Sequence, residues 1–156
     1  MRQTGERPVT PRLDATLDFM RLLWSIENRL QSTSKRMSSS LGITGPQRLA
    51  LRVVARFPGI SPKEAAELLQ LHPSTITGVL QRLEEKGLLT RERSAKDGRR
   101  AHLRVKPAAS RFTRRHTGTV EAAVKRALRR MPAASVVRAR EVLSEIIDEL
   151  GAATDD

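Results

Sequence analysis

The chain has 156 residues, with 29 Lys and Arg against 17 Asp and Glu, so its formal charge is +12, and it contains no cysteine. The length predicts a single domain, and the lack of cysteine excludes disulfides, thiolate metal sites and a cysteine nucleophile. Because no apolar run approaches the ~18 residues of a membrane span, we expect a cytoplasmic protein that does not bind membranes.

The N-terminal part predicts an arm followed by one long helix. Residues 1–12 carry two prolines and a glycine without periodicity, as is typical of a flexible arm. From Leu13 onward, apolar residues recur at helical spacing. This pattern predicts a long, heavily buried helix that ends near Met37.

Two capping boxes predict the next two helices. Thr44 and Ser61 are each followed by Pro within two residues and by Gln or Glu three residues later, a pattern typical of helix starts. We expect the first of these helices to reach about Phe57 and the second to end near Leu69.

A fourth helix is predicted over Pro73–Lys86, with His72 as its N-cap. It has apolar residues at i, i+3, i+4 and i+7 from Ile76, and Gly87 stands where a helix often ends. Two helices joined by a short turn, the second of them amphipathic, indicate a helix-turn-helix.

A basic β-hairpin is predicted next. The runs 88–91 and 101–105 are extended patterns, and Asp97-Gly98 between them is typical of a tight turn. Within 91–106, seven basic residues face two acidic ones.

The rest of the chain predicts two helices. One apolar stripe runs from Phe112 to Met131, Pro132 breaks it, and a second stripe runs from Val136 to Leu150. Together with the first helix, these stripes exceed what so small a module can cover, which predicts a partner surface.

The charge favours a polyanionic partner. Only 3% of the residues are aromatic, which disfavours stacking on unpaired bases and therefore favours double-stranded DNA. An RNA-coating or ribosome-associated protein, or merely the arginine usage of a GC-rich genome, would also explain the charge.

The element order, the run Ser74–Leu89 (STITGVLQRLEEKGLL) and the wing Asp97–Ala101 (DGRRA) resemble the MarR family of winged helix-turn-helix transcription regulators. The resemblance covers about residues 13–150. It implies a mainly α fold with a small β-hairpin wing and with N- and C-terminal dimerisation helices. Gly78 departs from the family pattern, because members often carry Arg there.

The resemblance also implies a division of the chain and a mode of action. The segments are an arm (1–12), dimerisation helix 1 (13–42), the DNA-binding lobe (43–106), the C-terminal dimerisation helices (107–151) and a tail (152–156). The implied protein is a homodimeric repressor on a pseudo-palindromic operator. The resemblance also implies release by a small effector, such as a phenolic or aromatic acid, in a cleft between the dimerisation helices and the lobe.

On a helical wheel, the face opposite Ile76 carries Ser74, Thr77, Gly78, Gln81 and Glu85. Hydroxyl groups there can contact base edges or phosphates, and the amide of Gln81 suits adenine N6 and N7. Arg82, at the edge of this face, suits a phosphate. The candidates on this helix are Ser74, Thr75, Thr77, Gly78, Gln81 and Arg82. The plainer interpretation is a solvated face of an amphipathic helix.

In the hairpin, the resemblance assigns Arg99 to the minor groove, where a narrow A·T tract attracts a guanidinium. Asp97 would support the turn and orient a nearby Arg. The remaining basic side chains are predicted phosphate ligands; they are Arg91, Arg93, Lys96 and Arg100. A solvated loop is the plainer interpretation here as well.

The sequence gives little support for metal binding or catalysis. The three histidines lack the spacing of metal ligands, no enzyme motif is present, and we expect neither a metal nor a cofactor. For an effector, the candidates are aromatic, amide and cationic groups that could meet a carboxylate; they are Arg21, Trp24, Asn28 and Phe57. The alternative function is a non-specific architectural DNA-binding protein, which the charge and Gly78 would suit.

The wing assignment makes the first prediction. Arg99→Ala should weaken binding to the operator, because it removes the guanidinium assigned to the minor groove. Equilibrium binding to an operator fragment at moderate salt measures this, and an unchanged affinity would contradict the assignment.

Overall fold

The structure, a computed structural model, describes residues 12–93, 101–114 and 117–152. These residues form seven α-helices, one short 3-10 helix and a two-stranded sheet. The helices are α1 (Ala15–Leu41), α2 (Gly45–Arg56), α3 (Pro62–Leu69), α4 (Pro73–Glu85), α5 (Ser110–Arg114), α6 (Val120–Leu128) and α7 (Ala133–Ala152). The strands are β1 (Leu89–Arg93) and β2 (Ala101–Val105), and the 3-10 helix is Pro107–Ala109.

The predicted starts of α2 and α3 are confirmed as capping boxes. The Thr44 hydroxyl accepts from the Gln47 backbone N–H at 3.3 Å, and the Gln47 side-chain oxygen accepts from the Thr44 N–H at 3.1 Å. Ser61 and Glu64 make the same pair of bonds at 3.2 and 2.8 Å. Each box satisfies backbone donors that a helix start otherwise leaves unpaired.

One hydrophobic core holds α2 to α5 and the sheet together. Its fully buried side chains include Leu51 of α2, Leu80 of α4 and Leu103 of β2. Ala109 and Phe112 close the core from the C-terminal side. The lobe that carries the helix-turn-helix is therefore packed independently of α7, which has no buried residue.

The predicted hairpin is confirmed. Strands β1 and β2 are antiparallel, with Leu89 opposite Val105 and Arg93 opposite Ala101. The predicted turn, Asp97-Gly98, lies outside the described residues. The edge of β2 that faces away from β1 pairs with the loop before α3. Gly59 N–H donates to Leu103 O, and Leu103 N–H donates to Ile60 O, both at 2.9 Å. The base of the hairpin is thus paired on both sides of β2.

The prediction that α1 is heavily buried is wrong for a single chain. Met37 is its one buried residue, whereas Leu17 and Trp24 are 47% and 56% exposed. The helix also continues past the predicted end, to Leu41, where Gly42 stops it in the left-handed conformation (φ +76°). The apolar pattern did predict a helix, but the described residues leave most of its apolar face uncovered.

The predicted continuous helix between Phe112 and Met131 is interrupted. Gly118 adopts φ +72°, which favours glycine, and the Thr119 hydroxyl caps α6 by accepting from the Ala122 N–H at 3.2 Å. The apolar spacing continues across this turn, so periodicity alone could not show it. The Thr-Gly-Thr sequence at 117–119 was the available indication.

The described residues contain neither a membrane-spanning helix nor a cluster of metal-binding side chains. No helix there is long and apolar enough to cross a membrane. No group of three or more histidine, aspartate or glutamate residues in the same ranges is placed to hold a metal ion.

The packing of the core makes a stability prediction. Leu51→Ala should lower the free energy of unfolding by about 2–5 kcal/mol, because it leaves a cavity at a fully buried site. Urea denaturation followed by circular dichroism measures this. Leu68→Ala, at a side chain that is 54% exposed on α3, is the matched control and should cost well under half as much. Equal losses would contradict the core described above.

Candidate nucleic-acid interface

Helix α4 is fixed at its start and along its inner face. The N-cap His72 accepts from the Ser74 backbone N–H at 3.2 Å through Nδ1, as the sequence predicted. Ile76, Leu80 and Leu83 are buried in the core. The orientation of the helix is thus set by apolar contacts, and its opposite face is left to the solvent.

The predicted reading residues share that outer face. The structure brings them together on one side of α4, where five are exposed and Gly78 is half-exposed. A Cβ added at Gly78 would meet no atom within 4 Å, so packing within the chain does not require glycine there. The exposed five are Ser74, Thr75, Thr77, Gln81 and Arg82.

Local hydrogen bonds orient three of these side chains. Ser74 Oγ lies 2.7 Å from His72 Nδ1. The Thr77 hydroxyl donates to the Pro73 carbonyl at 2.7 Å, and the Gln81 amide donates to Glu85 Oε1 at 3.1 Å. An amide has two N–H donors and one acceptor oxygen, so the bond to Glu85 uses only one of its three groups. Gln81 is therefore held at the surface while it keeps the donor and acceptor pair that an adenine edge requires.

Ion pairs join the hairpin to α4 and brace its strands. The Arg91 guanidinium faces both carboxylate oxygens of Glu84, at 3.3 and 3.4 Å. Arg104 of β2 pairs with Glu92 of β1 at 3.1 Å. Arg91, predicted to bind phosphate, thus also links the wing to the helix, a contact that the sequence did not reveal.

The other wing candidates divide by position. Arg93 is exposed at the end of β1. The remaining four predicted wing residues lie outside the described residues, and their roles stay predictions. These four are Lys96, Asp97, Arg99 and Arg100.

Two positioning contacts were missed by the sequence reasoning. Lys86 Nζ, at the end of α4, donates to the Gly42 carbonyl at the end of α1 at 2.7 Å. His102 of β2 bonds through Nδ1 to the Gly59 carbonyl at 2.7 Å. Both contacts join residues more than forty positions apart, so no local pattern could have indicated them.

A large cavity lies between α1, α2, α6 and α7, with a volume of about 1590 Å³. None of the four predicted effector residues lines it. Arg21 pairs with Asp18 at 2.7 Å on the exposed side of α1, and Phe57 ends α2 under the guanidinium of Arg56. Trp24 and Asn28 are exposed. An effector role for these four stays a prediction.

Comparison with known proteins decides the family. A model of the MarR family matches residues 41–100, and the HTH-type transcriptional repressor Rv2887 of Mycobacterium tuberculosis is 30% identical over 120 residues, which are 77% of this chain and 85% of that repressor. The chain belongs to the MarR family. The organic hydroperoxide resistance transcriptional regulator of Bacillus subtilis is 36% identical over 78 residues, but the aligned part is only 53% of its length.

Solved MarR-type structures share the fold. The Staphylococcus aureus MepR–DNA complex has a TM-score of 0.70 at 18% identity and covers 85% of this chain and 97% of that one. The PcaV regulator of Streptomyces coelicolor, solved with its natural ligand, has a TM-score of 0.68 at 24% identity, covering 89% and 98%. The winged-helix fold predicted from the sequence is thus confirmed, and the chain is a DNA-binding transcriptional regulator and not an enzyme.

The geometry of α4 makes a paired prediction for this MarR family member. Gln81→Ala should relax discrimination at one adenine by about 1–3 kcal/mol, because a bidentate base contact is lost. Arg82→Ala should weaken binding to all sequences alike and lower the salt slope by about one, because a phosphate contact is lost.

Fluorescence anisotropy with operator and single-base variants, at several salt concentrations, measures both effects. Lys63→Gln, at a highly exposed lysine of α3, controls for the loss of one charge. Identical effects of the Gln81 and Arg82 substitutions on all sequences would contradict the division between base and phosphate contacts.

Proposed function

We propose that this MarR family member is a homodimeric repressor that binds a pseudo-palindromic operator and is released by a small-molecule effector. The observation that carries the proposal is the pairing of two surfaces. A polar, exposed face of α4 stands on a tightly packed lobe, while the apolar faces of α1 and α7 are uncovered. The polar face of α4 can bind DNA, and the apolar faces of α1 and α7 can pack against another copy of the chain.

In this proposal, α4 enters the major groove and the wing lies beside it. Hydroxyls and the amide of the outer face contact base edges, and Arg82 contacts a phosphate. Arg99 enters the minor groove, supported by Asp97. The phosphate ligands of the wing are Arg91, Arg93, Lys96 and Arg100.

The dimer is supported by apolar area and by charge. Leu143, Ile147 and Leu150 of α7 are 44–62% exposed, so covering each of them gains about half of the ~1.5–3 kcal/mol that burial of a fully exposed side chain provides. The last twelve residues of α7 carry four acidic and no basic side chains, while Arg138 and Arg140 precede them. Two antiparallel copies of α7 would place the acidic half of one beside the basic half of the other.

Repression and release draw support from the names of similar proteins. Rv2887 is named a transcriptional repressor, and PcaV was solved with a natural ligand. In this chain, the cavity between α2 and the C-terminal helices is where a bound molecule would contact both the DNA-binding lobe and the dimerising segment.

A second candidate is an architectural protein that coats DNA without sequence preference. Gly78 favours it, because the centre of the outer face of α4 carries no side chain to read a base. The net charge of +12 would supply its affinity through phosphate contacts.

Selection from fragmented genomic DNA at near-physiological salt tests the proposal. We expect enrichment of a few inverted repeats with half-sites about one helical turn apart, and twice the monomer mass in light scattering. Even coverage without a motif would contradict the repressor and support the coating protein. A monomer at micromolar concentration would contradict the dimer.

A further inference from the structure

One acidic residue ties the C-terminal helices to the DNA-binding lobe. Glu121, in the first turn of α6, accepts from two arginines of α2: Oε2 from Arg48 at 3.1 Å and Oε1 from Arg52 at 3.0 Å. Arg52 also donates to the Thr113 carbonyl of α5 at 3.1 Å. The contact joins residues 73 positions apart, so it fixes α6 against α2 across the chain.

The two arginines differ in accessibility. The Arg48 side chain is 3% exposed, whereas those of Arg52 and Glu121 are 37% and 35% exposed. An arginine keeps its charge when buried, so the contact between Arg48 and Glu121 is costly to break. The contact between Arg52 and Glu121 is open to competition from another carboxylate.

These three residues form part of the wall of the cavity between α1, α2, α6 and α7. Its other walls are mainly aliphatic, with Leu30, Leu49, Val124 and Leu128 among them. None of the described residues that line it is aromatic, so these walls offer no ring for stacking. The charged residues that line the cavity are one acid, Glu121, and five basic residues. The basic residues are Lys35, Arg48, Arg52, Lys125 and Arg129.

We propose that this cavity binds an aliphatic carboxylate whose headgroup replaces Glu121 on Arg52. The inference deepens the proposed function and rests on it, because it names the effector class. The aliphatic walls receive the hydrocarbon chain, and the guanidinium binds the headgroup with paired hydrogen bonds. The cavity is partly open to solvent, and its volume of about 1590 Å³ leaves room for a long chain.

The exchange explains how binding reaches the DNA. Glu121 retains Arg48 but loses Arg52, so α6 is held to α2 by one ion pair instead of two. Helix α6 leads into α7, the proposed dimerisation helix, and a looser junction changes how the two lobes are spaced. By linkage, operator DNA must weaken ligand binding by the same factor by which the ligand weakens operator binding.

Calorimetric titration of the full chain tests the site without DNA. The probes are dodecanoate, kept below its micelle concentration, 1-dodecanol, which lacks the charge, and benzoate, an aromatic acid. We expect saturable binding of dodecanoate. Binding of 1-dodecanol should be at least about tenfold weaker, because it loses hydrogen bonds to a charged group. Binding of benzoate should also be at least about tenfold weaker, because it has no long hydrocarbon chain to bury. Absence of dodecanoate binding, as when a second copy fills the cavity, or equal binding of benzoate, would overturn the proposal.

Matched variants locate the headgroup. Arg52→Gln should weaken dodecanoate binding about tenfold or more. Lys63→Gln removes a charge on α3, away from the cavity, and should bind as the parent does. Arg21→Gln tests the competing effector position that the sequence predicted on α1. Thermal melting checks that each variant is folded. A loss with Arg21→Gln and none with Arg52→Gln would overturn the proposal in favour of the α1 site.

A substitution of the competing acid separates exchange from simple binding. Glu121→Gln removes the carboxylate that the ligand displaces, so it should bind dodecanoate more tightly than the parent, and weaker binding would overturn the exchange. If this variant unfolds, Glu121→Asp replaces it, with the same expected direction, because the shorter side chain holds Arg52 less well.

The experiments distinguish a wrong ligand class from a wrong proposed function. If genomic selection yields an inverted repeat but dodecanoate neither binds nor releases it, the ligand class is wrong and the regulator stands. If no repeat is selected while dodecanoate binds through Arg52, the site stands and the operator-binding repressor is wrong.

Discussion

The structure depends on the burial of one face of α4. Ile76, Leu80 and Leu83 enter a core shared with α2, α3, both strands and α5, and this contact alone sets which side chains face outward. Glu84 then joins the wing to the same helix through Arg91. The polar face, the base of the hairpin and the lobe are therefore joined in one packed unit, which is what a protein needs if it is to read a rigid duplex.

Much of this lobe was predictable from local chemistry. Capping boxes at Thr44 and Ser61, the cap at His72 and the alternation in β2 each act over a few residues, so the sequence displays them directly. The outer face of α4 followed from the same helical periodicity that placed Leu80 inside. Whether these side chains bind bases depends on the DNA, and the sequence of the protein carries no information about that DNA.

Other features depend on contacts far apart in sequence and were not predictable. In the sequence, Glu121 is the one acidic residue between positions 111 and 130, yet in the structure it is the shared partner of two arginines on α2. The turn at Gly118 was hidden because apolar spacing continues across it. Trp24 and its neighbours are exposed, although the sequence pattern predicted that they would be buried. Apolar spacing indicates that a helix has an apolar face, but it does not indicate which molecule covers that face.

The pairing of β2 with the loop at Gly59 and Ile60 has a consequence for how this protein can diverge. Strand β2 is fixed on one side by β1 and on the other by that loop, and His102 adds a third attachment. The contacts of the described residues are thus enough to hold the hairpin base. We therefore infer that insertions or substitutions between Arg93 and Ala101 cost the fold little, so the DNA contacts proposed for this segment can change during evolution largely free of selection for stability.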